Sequence, residues 1–299
     1  MKNAKNPDRP HPLYAGVRPP FESQREKGEV ESADSLEPAA DHGESGYVGR
    51  ERLKGCTALV VGGDSGIGRA VSLAFARESA DVAFTYHSNE EDARTTADLL
   101  NKVEGSKHRI YQLDQSDSEA CKGLIDKVCS DLGKLDILVN NAGVQTTYEA
   151  LEDIELEDFE STFKTNVFGT FYLSKFALQS MEQGGCIINS SSIQAFDPSA
   201  YLLPYAATKA AIANMTKSMA AFAIEKGIRV NAVAPGPVWT PLIPATMPAS
   251  KVEKFGSNTL LGRPAQPTEL ASVYVYLASA EASYVTGEIY PMTGGRQQL

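Results

Sequence analysis

From position 53 onward the chain alternates between short apolar runs and longer amphipathic stretches. Residues 56–61 read CTALVV, a run without charge that suits a strand buried on both faces. Short, mostly apolar runs recur at 81–86, 109–113, 135–139, 186–189, 228–233 and 288–292, all but 186–189 with one charged residue. Between them lie stretches of helical period at 69–78, 90–103, 118–132, 158–181, 204–225 and 268–278. Strands alternating with helices of this length predict βαβ units, hence a parallel sheet with helices on both faces. The fold class is therefore α/β, a Rossmann-type doubly wound sheet of about seven strands. A proline-interrupted stretch at 239–261 breaks the rhythm and predicts a flap with short helices. The chain shows no internal repeat, and 53–299 reads as one catalytic domain.

Residues 1–52 follow a different pattern. Pro7, Pro10, Pro12, Pro19 and Pro20 come first, and a charged stretch with Gly and Ser follows. So few apolar residues cannot fold alone. Apolar islands at Leu13-Tyr14, Phe21 and Tyr47-Val48 leave two readings open. One is an extended arm pinned to the body or to a neighbouring subunit; the other is a disordered solubilising tail.

Charge and composition remove several function classes. With 28 Lys and Arg against 38 Asp and Glu, the net charge is −10, and the cations are dispersed. Neither nucleic acid nor an anionic membrane surface suits such a chain. No apolar run approaches the roughly 20 residues of a membrane span. The first residues carry no apolar signal core, which predicts a cytoplasmic protein. Cys56, Cys121, Cys129 and Cys186 form no C-x-x-C pair, so zinc and disulfide roles give way to small core residues. No metal is expected.

The candidate chemistry sits at the strand ends. Gly62, Gly66 and Gly68 lie between the first strand and the first helix, where a tight turn and a helix N-terminus together suit a pyrophosphate. Asp114 follows the third strand, Asn140-Asn141-Ala142-Gly143 the fourth, Ser190 to Ser192 the fifth and Pro235-Gly236 the sixth. In an open parallel sheet, ligands bind beyond these carboxyl ends. Each residue alone has a plainer reading as a turn or cap. Further on, Pro204 precedes Tyr205, and Lys209 follows four positions later in an Ala-rich stretch. Proline at a first helical position starts a helix there, so Tyr205 and Lys209 share a face. A phenol titrates near 10, and a neighbouring ammonium lowers that value, which would make the pair an acid/base device. By itself the pair could equally be a helix that carries one Tyr and one Lys.

Taken in order, Gly62-x3-Gly66-Ile67-Gly68, Asp114, Asn140-Asn141-Ala142-Gly143, Asn166, Ser192, Tyr205-x3-Lys209 and Pro235-Gly236 resemble the short-chain dehydrogenase/reductase family. The resemblance covers the chain from about Leu53. The arm and the phrases around Gly66, Ser192 and Tyr205 are similar to one subgroup. Its members are described as stress-related or uncharacterised oxidoreductases in bacteria and as glucose/ribitol dehydrogenase homologues in plant seeds. The resemblance implies an NAD(P)(H)-dependent oxidoreductase that interconverts an alcohol and a carbonyl. Tyr205 would be the general acid/base, Lys209 would lower its pKa and hold the nicotinamide ribose, and Ser192 would hold the substrate oxygen. Asn166, a poor residue for a helix interior, would mark a local bend and relay protons through a water. Cofactor contacts are expected from Gly62, Ser65, Gly66, Ile67, Gly68, Tyr86, His87, Ser88, Asp114, Gln115, Asn140, Asn141, Ala142, Gly143, Tyr205, Lys209, Pro235, Gly236, Val238 and Thr240. A homotetramer built on the helices at 158–181 and 204–225 is implied as well.

Two departures from the family pattern stand out. Val61 replaces the usual Thr before the glycine turn, so packing is expected to hold that loop instead. Thr293 replaces a common Asp. After the second strand, Thr85-Tyr86-His87-Ser88 carries neither the carboxylate of an NAD site nor the Arg of a full NADP clamp. The expectation is NADP(H) preferred, with NAD(H) possible. The substrate pocket is expected to be lined by Gln145, Ile193, Gln194, Phe196, Tyr201, Leu203 and Trp239, with Gln145, Ser192, Gln194, Tyr205 and Trp239 touching a small polyol, sugar, aldehyde or ketone. The alternative is a non-catalytic, nucleotide-sensing or stress-related protein that acts through its arm.

Overall fold

The computed structural model describes residues 17–22, 24 and 32–296. The islands Leu13-Tyr14 lie outside them. Seven strands form one sheet: β1 (Thr57–Val61), β2 (Asp81–Tyr86), β3 (His108–Gln112), β4 (Ile137–Asn140), β5 (Cys186–Ser190), β6 (Arg229–Pro235) and β7 (Ile289–Met292). Their order is β3-β2-β1-β4-β5-β6-β7, and every neighbouring pair is parallel. The chain reverses its direction of winding between β1 and β4, and at such a switch point a crevice opens for a ligand.

Side chains alternate across each strand, and the two cores follow from that. Ala58 and Val60 of β1 pack with Val82, Phe84 and Ile188 under helices α1 (Gly66–Arg77), α2 (Glu90–Leu100) and α9 (Pro267–Ala278). Leu59 and Val61 face the other side, with Leu124 and Ile125 of α3 (Ser118–Leu132) and Leu173. Local chemistry sets the helix ends. Asn89 accepts the Asp92 N–H to cap α2, Asp117 caps α3, and Gly133 ends α3 at φ +89°.

The expected helix at 158–181 is three pieces. α4 (Leu156–Phe163) runs into a π turn (Lys164–Phe168), and α5 (Gly169–Ser180) follows. The wider turn carries Asn166, fully buried, away from the ordinary helical face. α6 (Leu203–Ala223) has proline in its first turn. The flap contains two short helices, α7 (Leu242–Thr246) and α8 (Ala249–Val252).

The described part of the arm packs on the body. Phe21, Ala33 and Leu36 are buried. Glu78, at the end of α1, accepts hydrogen bonds from the Tyr47 hydroxyl (2.7 Å), the Arg50 and Arg52 backbone N–H groups (2.8 and 3.0 Å) and the Arg52 guanidinium (2.7 Å). Of the two readings left open by the sequence, the solubilising tail does not describe these residues.

Candidate active site

A cleft of about 990 Å³ runs along the carboxyl ends of the strands. Its floor is the glycine turn. Gly62 (φ +73°) and Gly66 (φ +50°) adopt a backbone that side chains disfavour. A Cβ on Gly68 would lie 1.8 Å from the Gly62 carbonyl oxygen, so that glycine serves the turn's closure and does not line the cleft. Hydrogen bonds join the expected packing in holding the loop in place of the missing Thr: a Cβ on Gly63 would already lie 2.6 Å from Phe84 Cβ. Thr85 accepts the Gly62 N–H at its Oγ1 (3.0 Å) and the Gly63 N–H at its carbonyl (2.9 Å), and Asn141 Nδ2 donates to the Gly62 carbonyl (3.1 Å). Ser65 precedes α1 without a side-chain cap, so Ser65, Gly66 and Ile67 present the first turn of the helix to the cleft. Tight glycines before a helix N-terminus are what a dinucleotide pyrophosphate requires.

Most of the expected residues converge on this cleft. Tyr86, His87, Ser88, Asp114, Gln115, Asn141, Ala142, Gly143, Pro235, Gly236, Val238 and Thr240 all line it. Asp114 also accepts the Ser116 N–H (2.9 Å), and hydrogen bonding to the Ser116 side chain first, then to that N–H, lowers its carboxyl pKa. Gln115 spends its amide on the Ala142 and Thr165 carbonyls. Asn140 does not line the cleft. It points into the core, where Nδ2 donates to Ser174 Oγ and Asn189 Oδ1, each at 2.9 Å. Strand parity explains this: Leu138 faces the α3–α5 side, and Asn140, two residues on, must face it too.

The acid/base group lies at the other end. Ser192 follows β5, and its Oγ accepts the Gln194 N–H at 3.2 Å and hydrogen-bonds Tyr205. Tyr205 stands in the first turn of α6, and Lys209 Nζ lies 5.5 Å from its ring centre while donating to the Ser190 carbonyl (2.7 Å). Ser191, expected only as part of the strand-end stretch Ser190 to Ser192, ties α6 down by donating to the Lys209 carbonyl (2.9 Å). A Cβ on Gly143 would sit 3.2 Å from Asn166 Oδ1 and 3.5 Å from Lys209 Nζ, so these three positions meet at one point. Asn166 accepts the Val144 N–H (2.8 Å) and donates to the Val144 carbonyl and Thr208 Oγ1.

Burial pushes the Tyr205 phenol up to about 12, against the Ser192 hydrogen bond, which lowers it. Burial also pulls the Lys209 ammonium down to about 8. The expected lowering of the tyrosine by the lysine is therefore not met. Both groups are desolvated, and at this separation desolvation outweighs the ammonium's attraction.

The substrate end departs further from expectation. Gln145, Ile193, Gln194 and Tyr201 line the cleft, but Phe196, Leu203 and Trp239 do not. Gln145 Nε2 donates to Thr246 Oγ1 on the flap (2.7 Å), and Gln194 is engaged by Ser199 through both ends of its amide. Trp239 is wholly buried, against Phe21 of the arm. A proline-flanked Trp in a flap looked like a pocket wall; the packing partner that removes it from the pocket is over 200 positions away. The Lys251, Lys254 and Arg296 side chains reach the cleft instead, and Arg296 pairs with Asp197 at 2.6 Å.

Two carboxylates beyond β1 and β2 also escaped the sequence reading. Asp64 and Asp92 line the cleft with Ser32 of the arm. Burial, with Asp92 adding to it, pushes Asp64 up to about 6 against its own backbone hydrogen bond. Arg69 is no free cation here, being paired with Asp34 (3.0 Å) and Asp92 (3.3 Å). The signal was a charged residue inside the glycine turn itself.

Comparison with known proteins agrees with this geometry. A family model described as enoyl-(acyl carrier protein) reductase matches residues 61–297. Glucose and ribitol dehydrogenase of Daucus carota is 41% identical over 92% of this chain and 96% of its own length. The chloroplastic NADPH-dependent aldehyde reductase 1 of Arabidopsis thaliana is 41% identical over 92% of this chain and 97% of its own. A short-chain dehydrogenase of Burkholderia cenocepacia J2315, solved in complex with NADP, superposes with a TM-score of 0.77 at 31% identity, covering 82% of this chain and 98% of that one. The chain belongs to the short-chain dehydrogenase/reductase family of oxidoreductases.

Proposed function

We propose that this protein interconverts a small alcohol and its carbonyl, on a polyol, sugar, aldehyde or ketone, with Tyr205 as the acid/base. The observation that carries the reading is the meeting of Ser192, Tyr205 and Lys209 in one cleft with the glycine turn. A bound nicotinamide dinucleotide would supply or accept the hydride. Ser65, Gly66 and Ile67 would hold its pyrophosphate on backbone N–H groups, Asp114 and Asn141 to Gly143 would border the adenosine, and Pro235, Gly236, Val238 and Thr240 would border the nicotinamide. Lys209 would hydrogen-bond the ribose next to it.

In reduction, negative charge grows on the carbonyl oxygen. Ser192 and Tyr205 donate hydrogen bonds to that oxygen, and Tyr205 then gives it a proton. A phenol held near 12 is fully protonated at neutral pH, which suits this direction. The reverse needs phenolate, so oxidation gains with rising pH. Asn166, on its π turn, keeps the 143–145 loop against Lys209.

The reading takes NADP(H) as preferred and NAD(H) as accepted. Support for NADP(H) comes from the absence of a carboxylate at 85–88 and from the relative named an NADPH-dependent reductase. Asp64 and Asp92 favour a free ribose hydroxyl and keep NAD(H) in use. A screen of sugars, polyols and carbonyls, followed by nicotinamide absorbance, tests the reading. Turnover with small substrates, lost in Tyr205→Phe and several-fold faster with NADPH, is expected. NADPH binding without turnover across the panel would instead favour the nucleotide-sensing protein. The reading also carries a cytoplasmic location and a homotetramer, the latter tested by light scattering.

A further inference from the structure

The flap that covers the substrate end is poorly equipped to hold itself. α7 has five residues and α8 has four, and helices so short have no stability of their own. The body holds α7 through Gln145 Nε2 to Thr246 Oγ1 (2.7 Å) and Thr147 Oγ1 to the Thr246 carbonyl (2.9 Å), and the arm supplies the remaining ties. The Phe21 ring stacks on the Trp239 indole, with centroids 4.2 Å apart and planes at 23°. The indole N–H donates to the Pro38 carbonyl (2.7 Å), and the Phe21 N–H donates to the Glu253 carbonyl just after α8 (3.0 Å). Phe21, Leu36, Trp239, Ile243, Met247 and Val252 form one buried cluster, and Tyr201 and Tyr205 pack against it. The cluster thus has the arm on one side and the flap and acid/base tyrosine on the other.

A polar tie anchors the same segment at the opposite end of the cleft. The buried Asp92 carboxylate accepts the Ser32 hydroxyl (2.7 Å) and the Ala33 N–H (2.9 Å), and Asp34 pairs with Arg69. Ser32 itself lines the cleft beyond β2. Phe21 and residues 32–38 of the arm thus reach both ends of the site.

We propose that the described part of the arm braces the flap from behind, and that Phe21 and Trp239 are positioning residues that set the flap over the substrate. Trp239 is the protein's sole tryptophan, so its emission reads the stack directly. Trypsin cleavage after Lys251 and Lys254 reads the flap. The kinetic readout alone rests on the dehydrogenase reading; emission and proteolysis do not.

In Phe21→Ala, Trp239 emission is expected to move to longer wavelength. Cleavage after Lys251 and Lys254 is expected to quicken about tenfold, on the scale of a lost aromatic pair. With glyceraldehyde as the probe carbonyl, KM is expected to rise about tenfold while kcat moves less than about threefold, the signature of lost positioning. Phe21→Tyr restores all three readouts, and NADPH binding, followed by its fluorescence, stays unchanged. Should Phe21→Ala fail to fold, Phe21→Leu carries the same measurements. A shifted emission with unchanged cleavage and unchanged KM overturns the proposal, as does an emission that Phe21→Ala leaves in place. If glyceraldehyde and every other carbonyl go unturned, emission and cleavage still decide the point.

Discussion

At the residue scale, the chemistry turns on how burial treats two neighbouring groups. Tyr205 and Lys209 are moved in opposite directions, to about 12 and about 8, and both shifts disfavour the charged form. Tyr205→Phe removes the proton donor and leaves the ring, so kcat should fall about 10³-fold with the circular dichroism unchanged. Lys209 is an ammonium below about 8 and neutral above it. NADPH binding to the enzyme should therefore weaken as pH rises through 8, and a titration of cofactor fluorescence between pH 6 and 10 checks this. In Lys209→Met that step should vanish. The sequence could place these residues on one helical face, because four positions make one turn. It could not give the direction of the tyrosine's shift, because desolvation depends on every atom packed around the ring.

At the element scale, the π turn and the glycine turn are the parts that local pattern alone did not fully describe. Asn in mid-helix was a visible anomaly, and a local bend was the right expectation. The form of the bend depends on Val144 and Thr208, which come from other elements. Asn166→Ala would leave the part-buried Val144 N–H and carbonyl and the buried Thr208 hydroxyl without this partner. Unfolding in urea should then show a loss of about 1–2 kcal/mol, with Thr208 and the 143–145 loop less protected from hydrogen exchange. In the glycine turn, Gly68→Ala would drive a methyl group onto the Gly62 carbonyl. Cofactor binding should be lost more completely than stability, as separate titrations with NADPH and urea would show. The position of Gly68 was legible in the spacing. Its task, closing the loop and not touching the ligand, was not.

At the scale of the whole molecule, Glu78 joins the arm to the end of α1. Burial alone would raise its carboxyl pKa. The Arg52 guanidinium, the Arg52 backbone N–H, the Tyr47 hydroxyl and the Arg50 backbone N–H outweigh that and hold it at about 2, below the ordinary 4.5. Its native pKa lies below its unfolded one, so the stabilisation is complete above about pH 4.5. It is lost as pH falls towards 2. Glu78→Gln should cost about 3 kcal/mol at pH 7 by leaving Arg52 without its buried partner, and much less at pH 3. Urea unfolding at the two pH values measures the difference.

The order of strands and helices was written in the sequence, since apolar runs and amphipathic periods are local properties that the chain shows residue by residue. So was the set of strand-end residues, because a parallel sheet gathers carboxyl ends along one edge wherever its strands begin. Only the tertiary structure decided which way those residues face. Asn140 turned inward because strand parity is counted from the core. Asp64 and Asp92 came together because the arm and α2 close on the first turn of α1. Trp239 left the pocket because Phe21 reaches it across more than two hundred positions. Contacts of that sequence separation leave no periodic trace in the chain, and they fix the walls of this site.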